Sequence, residues 1–175
     1  MAEGARATAI RGRGDLTSRE LRGEAAVLRP AEDADADMLA AWHDDSDVAR
    51  YWDDERFTAD EMRVRLQRVD VEAYIVEADG EPVGYLQVWR EGGDGGGIDM
   101  FLIPGARGRG LGADAARAVA RHLRDARGWS RVTVDPYLWN EPAIRAWRRA
   151  GFRDVGEREP DDEHTARWLL MEFVD

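Results

Sequence analysis

The sequence contains no cysteine and no lysine. Without cysteine there are no disulfides, no thiolate metal ligands and no cysteine nucleophile. Its 3 histidines are scattered, with no HxH, HxxxH or HExxH spacing, so no zinc site is expected and no metal is assigned. No secretory signal or long apolar run is present, which predicts a soluble, cytoplasmic protein that does not engage membranes. All 25 basic residues are arginine, a usage that, with the excess of alanine and glycine, reflects a GC-rich genome.

The 175 residues suffice for one domain with a full core, and the net charge is −11. That charge is uneven. Residues 31–62 carry twelve Asp or Glu against two Arg, while the remainder is almost balanced. Such a field repels nucleic acid and anionic membranes and attracts a polycation. A solvated acidic surface accounts for most of these carboxylates; a few beside a pocket would be enough to recruit an amine.

The chain reads as mixed α/β. Residues 1–22 are predicted to be a flexible extension with at most a short strand near 16–21, and residues 23–175 a single domain. A strand ends at Pro30, and a helix spans about 35–43 with Met38, Leu39 and Trp42 on one face. Thr58 and Glu61 form a capping-box pattern for a helix to about Val69. "EAYIVEADGEPVGYLQVWR" reads as a hairpin turning at 79–82. "EGGDGGG" is predicted to be a mobile loop, followed by a strand over 98–103 and a helix over about 111–127. "SRVTVDP" is a further strand. A helix from Glu141 to Ala150 has Asn140 as N-cap and Gly151 at its C-terminal end. Strands over 152–156 and 165–173 close the chain.

The segment "RGRGLG", Arg107 to Gly112, stands between a strand and a helix. Its glycines allow close backbone approach, and the helix that follows turns its free N–H groups and positive dipole end back on the loop. Together they suit an anion, best a phosphate, although a plain glycine-rich turn has the same composition. It is not a P-loop, since no GK[ST] follows, nor a G-x-G-x-x-G fingerprint.

The pattern Arg107-x-x-Gly110-x-Gly112 resembles the acetyl-CoA loop of the GNAT N-acetyltransferase superfamily. The segment Asn140-x-x-Ala143-x-x-x-Trp147-x-x-x-Gly151-Phe152 resembles that superfamily too. "GIDMFL", "VTVDP" and "YWDDE" ahead of "EPVGYLQ" are similar to the aminoglycoside 6′-N-acetyltransferases. The resemblance covers about 24–173. It implies a GNAT fold: a twisted, mostly antiparallel mixed sheet of about six or seven strands with about four helices. It also implies acetyl-CoA as co-substrate and a polycationic amine, such as an aminoglycoside, as acceptor. The superfamily's enzymes occur as monomers or homodimers.

The resemblance places the pyrophosphate of acetyl-CoA on Arg107, Gly108, Arg109, Gly110, Leu111 and Gly112. It places the pantetheine arm along Met100, Phe101, Leu102 and Ile103, with Asn140 a further cofactor contact. Asp99 is implied as general base. An ordinary Asp, with a pKa of ~3.9, is a poor base for an amine near ~10, so burial, a bridging water or ammonium binding must enter; a structural ion pair is the other reading. Asp135, ending the next strand, is a second substrate carboxylate or a turn-forming Asp-Pro. Asp94, in the glycine-rich loop, is a third. Tyr51 and Trp52 are candidate sugar walls, Trp52 because it lies in an acidic loop rather than on a periodic face. Trp147 stands where many GNAT enzymes carry the Tyr that protonates the leaving thiolate; an indole can only donate a hydrogen bond, or pack in the core. Other acceptors, a lysine-like siderophore precursor or a protein amine, and a non-catalytic acyl-CoA-binding role remain open at this point.

Overall fold

The structure, a computed structural model, describes residues 19–175. Of the extension expected over residues 1–22, residues 1–18, with half of the candidate strand at 16–21, lie outside the described residues. The strands are β1 Leu21–Arg22, β2 Val27–Pro30, β3 Val71–Ala78, β4 Glu81–Arg90, β5 Gly95–Leu102, β6 Arg131–Val134, β7 Phe152–Arg158 and β8 Trp168–Phe173. They form one 8-stranded sheet in the order β1-β2-β3-β4-β5-β6-β8-β7. The helices are α1 Ala36–Asp44, α2 Ser46–Ala49, α3 Ala59–Leu66, α4 Leu111–Arg121 and α5 Glu141–Ala150.

Every neighbouring pair is antiparallel except β5 and β6. A parallel pair needs a crossover, and α4 supplies it. The parallel ladder holds for only Gly95–Gly97 against Arg131–Thr133. Beyond it β5 stays with β4, β6 turns to β8, and the sheet is open along the C-terminal half of β5.

Both faces of the sheet are covered, which is why β3 reads as a continuous apolar run. Its Tyr74 and Val76 join Leu86, Ile98 and the buried stripes of α4 and α5 in one core. The alternate residues, Ala73 and Ile75, join Tyr85, Phe101, Leu39, Met62 and Trp52 in a second core under α1, α2 and α3. The two periods of strand alternation therefore assign Ile98 to one face and Asp99 to the other.

Local signals explain most termini. Thr58 and Glu61 form the capping box at α3. Asn140 accepts from the Ala143 N–H at 3.3 Å, and Gly151, at φ 108°, ends α5. Asp79 and Gly80, at φ 54° and 79°, make the two-residue turn of the β3–β4 hairpin.

Several boundaries differ from expectation. α3 stops at Leu66, short of Val69, and α2 has no counterpart in the sequence reading. The α4 helix passes into a π-helical turn, His122–Ala126. The largest correction concerns "EGGDGGG". Gly95, Gly96 and Gly97 are not a mobile loop but the start of β5. A Cβ on Gly96 would meet the Trp89 carbonyl oxygen at 2.0 Å, and one on Gly97 would meet the Trp89 ring at 2.2 Å. Glycine is present there because Trp89 closes over the strand.

Candidate active site

The opening beside β5 is lined by backbone. Ile103 N–H donates to the Val83 carbonyl, and the Gly95 carbonyl accepts from Glu91, so the odd-numbered residues of β5 turn toward β4. Even-numbered residues turn the other way. The Gly96 carbonyl accepts from Thr133 Oγ1 at 3.2 Å, and the Leu102 carbonyl from Arg107 Nε at 2.9 Å. Between them, the peptide groups of Ile98 and Met100 face the gap. Phe101, expected with them, has its side chain buried in the second core.

Past β5 the chain reaches the glycine loop. Gly108 and Gly110 adopt φ 77° and 79°, and a Cβ on either would meet nothing within 4 Å. These glycines are there for the left-handed backbone, not for close packing. Gly110 is the N-cap of α4 and provides no side-chain cap. The first N–H groups of α4 are thus not capped by a side chain, and the positive end of the helix adds to them. Leu111 is buried, and Gly112 lies against the side chains of Met100 and Leu102.

The two arginines of this loop do not act as expected from charge alone. Arg107 donates to the Leu102 carbonyl and, through Nη2, to the Asp47 carbonyl at 2.9 Å, and it lies over the Tyr51 ring. It ties the loop to β5 and α2. Arg109 sits on the surface 3.2 Å from Asp79. The anion-attracting part is therefore chiefly the backbone. Asp114, in the first turn of α4, is turned away and accepts from the Glu24, Ala25 and Ala26 N–H groups.

On the other side of the gap is a cavity of about 560 Å³, into which Asp99, Asp135, Tyr51, Met100 and Asn140 all face. Gln87 Nε2 donates to Asp99 Oδ2 at 2.7 Å. Burial, then the charge of Asp135, pushes Asp99 up to about 6. Two carboxylates facing one cavity disfavour each other's charge. Asp135 is also raised by burial, against the pull of His164, whose Nε2 lies 3.1 Å away. His164 Nδ1 meets Asp161 at 2.8 Å, and its ring stacks on Trp168.

Three expected residues are placed differently. Asp94 does not reach the cavity. It lies in the β4–β5 turn, where its carbonyl accepts from the Ser130 N–H, and Glu91 from the same turn faces the cavity instead. Trp52 is not an exposed wall of an acidic loop. It is 9% exposed and packs edge-on against His43, Tyr85 and Phe101, with one edge on the cavity. Trp147 is 7% exposed and packs on Phe152, again with only an edge on the cavity. Both indoles are drawn inward by the area they bury. Tyr137 donates its hydroxyl to Asp53, and burial together with that carboxylate raises it, so it is a poor proton source.

Residues without a local sequence signal complete the cavity: Asp70, Glu91, Glu163 and His164. Gln87 had one, as a polar residue within an otherwise apolar strand.

Solved acetyltransferases share this fold. An aminoglycoside acetyltransferase AAC(6′)-Ib in complex with ribostamycin and coenzyme A is 26% identical, with a TM-score of 0.75 over 86% of this chain and 94% of that one. The same enzyme with coenzyme A and kanamycin gives a TM-score of 0.73 at 26% identity, over 84% and 93%. A spermidine N-acetyltransferase from Vibrio cholerae, 13% identical over 85% and 94%, shares the fold at a TM-score of 0.74. In sequence, the chain is 30% identical over 153 residues to the aminoglycoside N(6′)-acetyltransferase type 1 of Klebsiella pneumoniae, covering 76% of each. The acetyltransferase (GNAT) domain model matches residues 26–153. The chain belongs to the GNAT acetyltransferase family.

Proposed function

We propose that this acetyltransferase moves the acetyl group of acetyl-CoA to a primary amine of a polycationic small molecule, the 6′-amine of an aminoglycoside. The observation that carries this reading is the facing of Asp99, from the middle of β5, and Asp135, just past the end of the neighbouring β6, onto one cavity beside the open edge of β5. The related enzymes named for aminoglycosides support the choice of acceptor.

The residues present fit acetyl-CoA. Gly108 and Gly110 leave open space over a helix end that has no side-chain cap, which suits a diphosphate. The peptide groups of Ile98 and Met100 suit the amides of a pantetheine arm, and Asn140 faces the same space. When bound, acetyl-CoA supplies a thioester carbonyl open to attack by an amine.

The chain's own groups do the rest. Asp135 and Asp99 hold an ammonium group by charge, and Asp99 takes the proton as the amine becomes a nucleophile. At about 6 rather than ~3.9, Asp99 narrows the mismatch with an amine near ~10 to ~4 units, or ~5 kcal/mol. Fixed positioning supplies much of the remaining rate. No side chain is needed to protonate the thiolate, since a thiol near ~8.5 costs only ~2 kcal/mol to release at pH 7. Trp147 then acts by packing.

The test is a thiol-release assay with acetyl-CoA and kanamycin, ribostamycin, spermidine, N-hydroxylysine or a peptide amine, on the parent and on Asp99→Asn. Fast release with the aminoglycosides, lost in Asp99→Asn, is expected. Preference for a peptide or for N-hydroxylysine would replace the acceptor. Turnover unchanged in Asp99→Asn would remove the base.

A further inference from the structure

Asp99 is backed by two buried side chains on β4. Tyr85 and Gln87 lie opposite Phe101 and Asp99 in the register. The Tyr85 hydroxyl donates to Gln87 Oε1 at 3.2 Å, and Gln87 Nε2 donates to Asp99 Oδ2 at 2.7 Å. Tyr85 is 0% exposed and Gln87 5%. A primary amide has a carbonyl end and an amino end, and the two are not interchangeable. The Tyr85 oxygen also faces the Arg65 guanidinium of α3. A guanidinium only donates and its positive charge repels a hydroxyl hydrogen, which agrees with the Tyr85 hydrogen being directed to Gln87 Oε1. The carbonyl end of Gln87 is thereby held to Tyr85 and its amino end to Asp99.

We propose that Tyr85 is a positioning residue that sets the basicity of Asp99 by locking the direction of the Gln87 amide. This deepens the acetyl-transfer reading and rests on it for the role of Asp99. An amino group donating to Asp99 favours the carboxylate over the acid. Released from Tyr85, the amide turns over, and its carbonyl accepts from protonated Asp99 instead. The neutral form then gains, and Asp99 holds its proton to higher pH.

The charged groups that share the cavity with Asp99 are Asp53, Glu55, Arg65, Arg68, Asp70, Arg90, Glu91, Asp135, Glu163 and His164. Burial and Asp135 raise Asp99, while Gln87, Trp89 and Arg65 lower it. Arg65 and Arg68 face Tyr85 from the α3 side, and burial pushes its phenol up to about 12, so it keeps its hydrogen throughout the working range. His43 packs edge-on to Tyr85 with both ring nitrogens lacking a hydrogen-bond partner. Burial, then Arg65, pushes it down to about 4, so it adds no charge. His164 lies 3.1 Å from Asp135 on the same cavity.

The experiment compares the full-length parent, Tyr85→Phe, Gln87→Met and the double variant in two readouts. These are the pH profile of kcat/KM and the 13C-carboxyl titration of Asp99. Each single variant is expected to raise the acidic limb, and the Asp99 midpoint, by about one pH unit. The double variant should shift no further than Gln87→Met, because Tyr85 acts through Gln87. An unmoved limb in folded Tyr85→Phe, or shifts that add, would overturn the proposal. A thermal melt reports folding. If Tyr85→Phe does not fold, Gln87→Met must raise the limb alone, and an unmoved limb there also overturns it. The carboxyl titration needs no turnover. A shifted Asp99 without acetyl transfer removes the functional reading alone, whereas transfer with an unshifted Asp99 removes this inference alone.

Discussion

The two ends of the cleft are built from different materials. At one end, Gly108, Gly110 and the first turn of α4 offer main-chain N–H groups and open space, with one arginine tied down on carbonyls and the other on the surface. At the other end, Asp99, Asp135 and Gln87 offer side chains, held in place by partners from β4 and from the loop that carries His164. A main-chain site recognises a charge and a shape that do not vary. A side-chain site can be retuned one residue at a time. The difference predicts which kinetic constant each end controls.

The largest effect is expected at the side-chain end. Asp99→Asn should lower kcat/KM for the amine by ~10²–10⁴ and leave the KM for acetyl-CoA nearly unchanged, as read by thiol release. If both constants move together, the two ends are not separable.

Next comes the main-chain end. Gly110→Val places a branched side chain at φ 79° and should cost about 1–2 kcal/mol in a thermal melt. It should raise the KM for acetyl-CoA while the acceptor KM holds. A rise confined to the acceptor would break the comparison.

A pH effect also belongs to Asp99. Its native pKa, pushed up to about 6, lies above the unfolded value, so the native state binds its proton more tightly. That contribution is present below about pH 4 and is lost as pH rises through about 6. Asp99→Asn should therefore melt higher than the parent at pH 8, by up to about 3 kcal/mol of stability, and equal it near pH 3. Parent kcat/KM should fall below about pH 6, where the base is protonated.

The smallest effect is expected from Asn140→Ala. Losing the Oδ1 cap on Ala143 costs about 1 kcal/mol, read as a lower Tm.

How much of this was legible depended on the range of the forces involved. The α5 helix was readable to the residue, because Asn140 and Gly151 act within one turn of themselves. The capping box at Thr58 was equally local, but the far end of α3 carried no stop signal and was overestimated. Gly95–Gly97 misled because glycine permits both mobility and close packing, and only the position of Trp89 decides between them. Trp52 lines the cavity, but only by an edge, for a related reason. Its neighbours in sequence are acidic and exposed, while its neighbours in space are His43, Tyr85 and Phe101. Asp94 was misassigned because a turn one residue tighter or looser redirects every side chain in it.

The sequence by itself determined the order of the main elements, the caps at Thr58 and Asn140, and the glycine loop between strand and helix, since each follows from contacts within a few residues or from strand alternation. Tertiary structure alone decided that β5 and β6 part after three pairs, that Asp99 and Asp135 face one cavity, and that Tyr85 reaches Asp99 through Gln87. Those features depend on which strands become neighbours and how deeply a carboxylate is withdrawn from water. Proximity and desolvation are properties of the packed chain, and neither is carried by residue order.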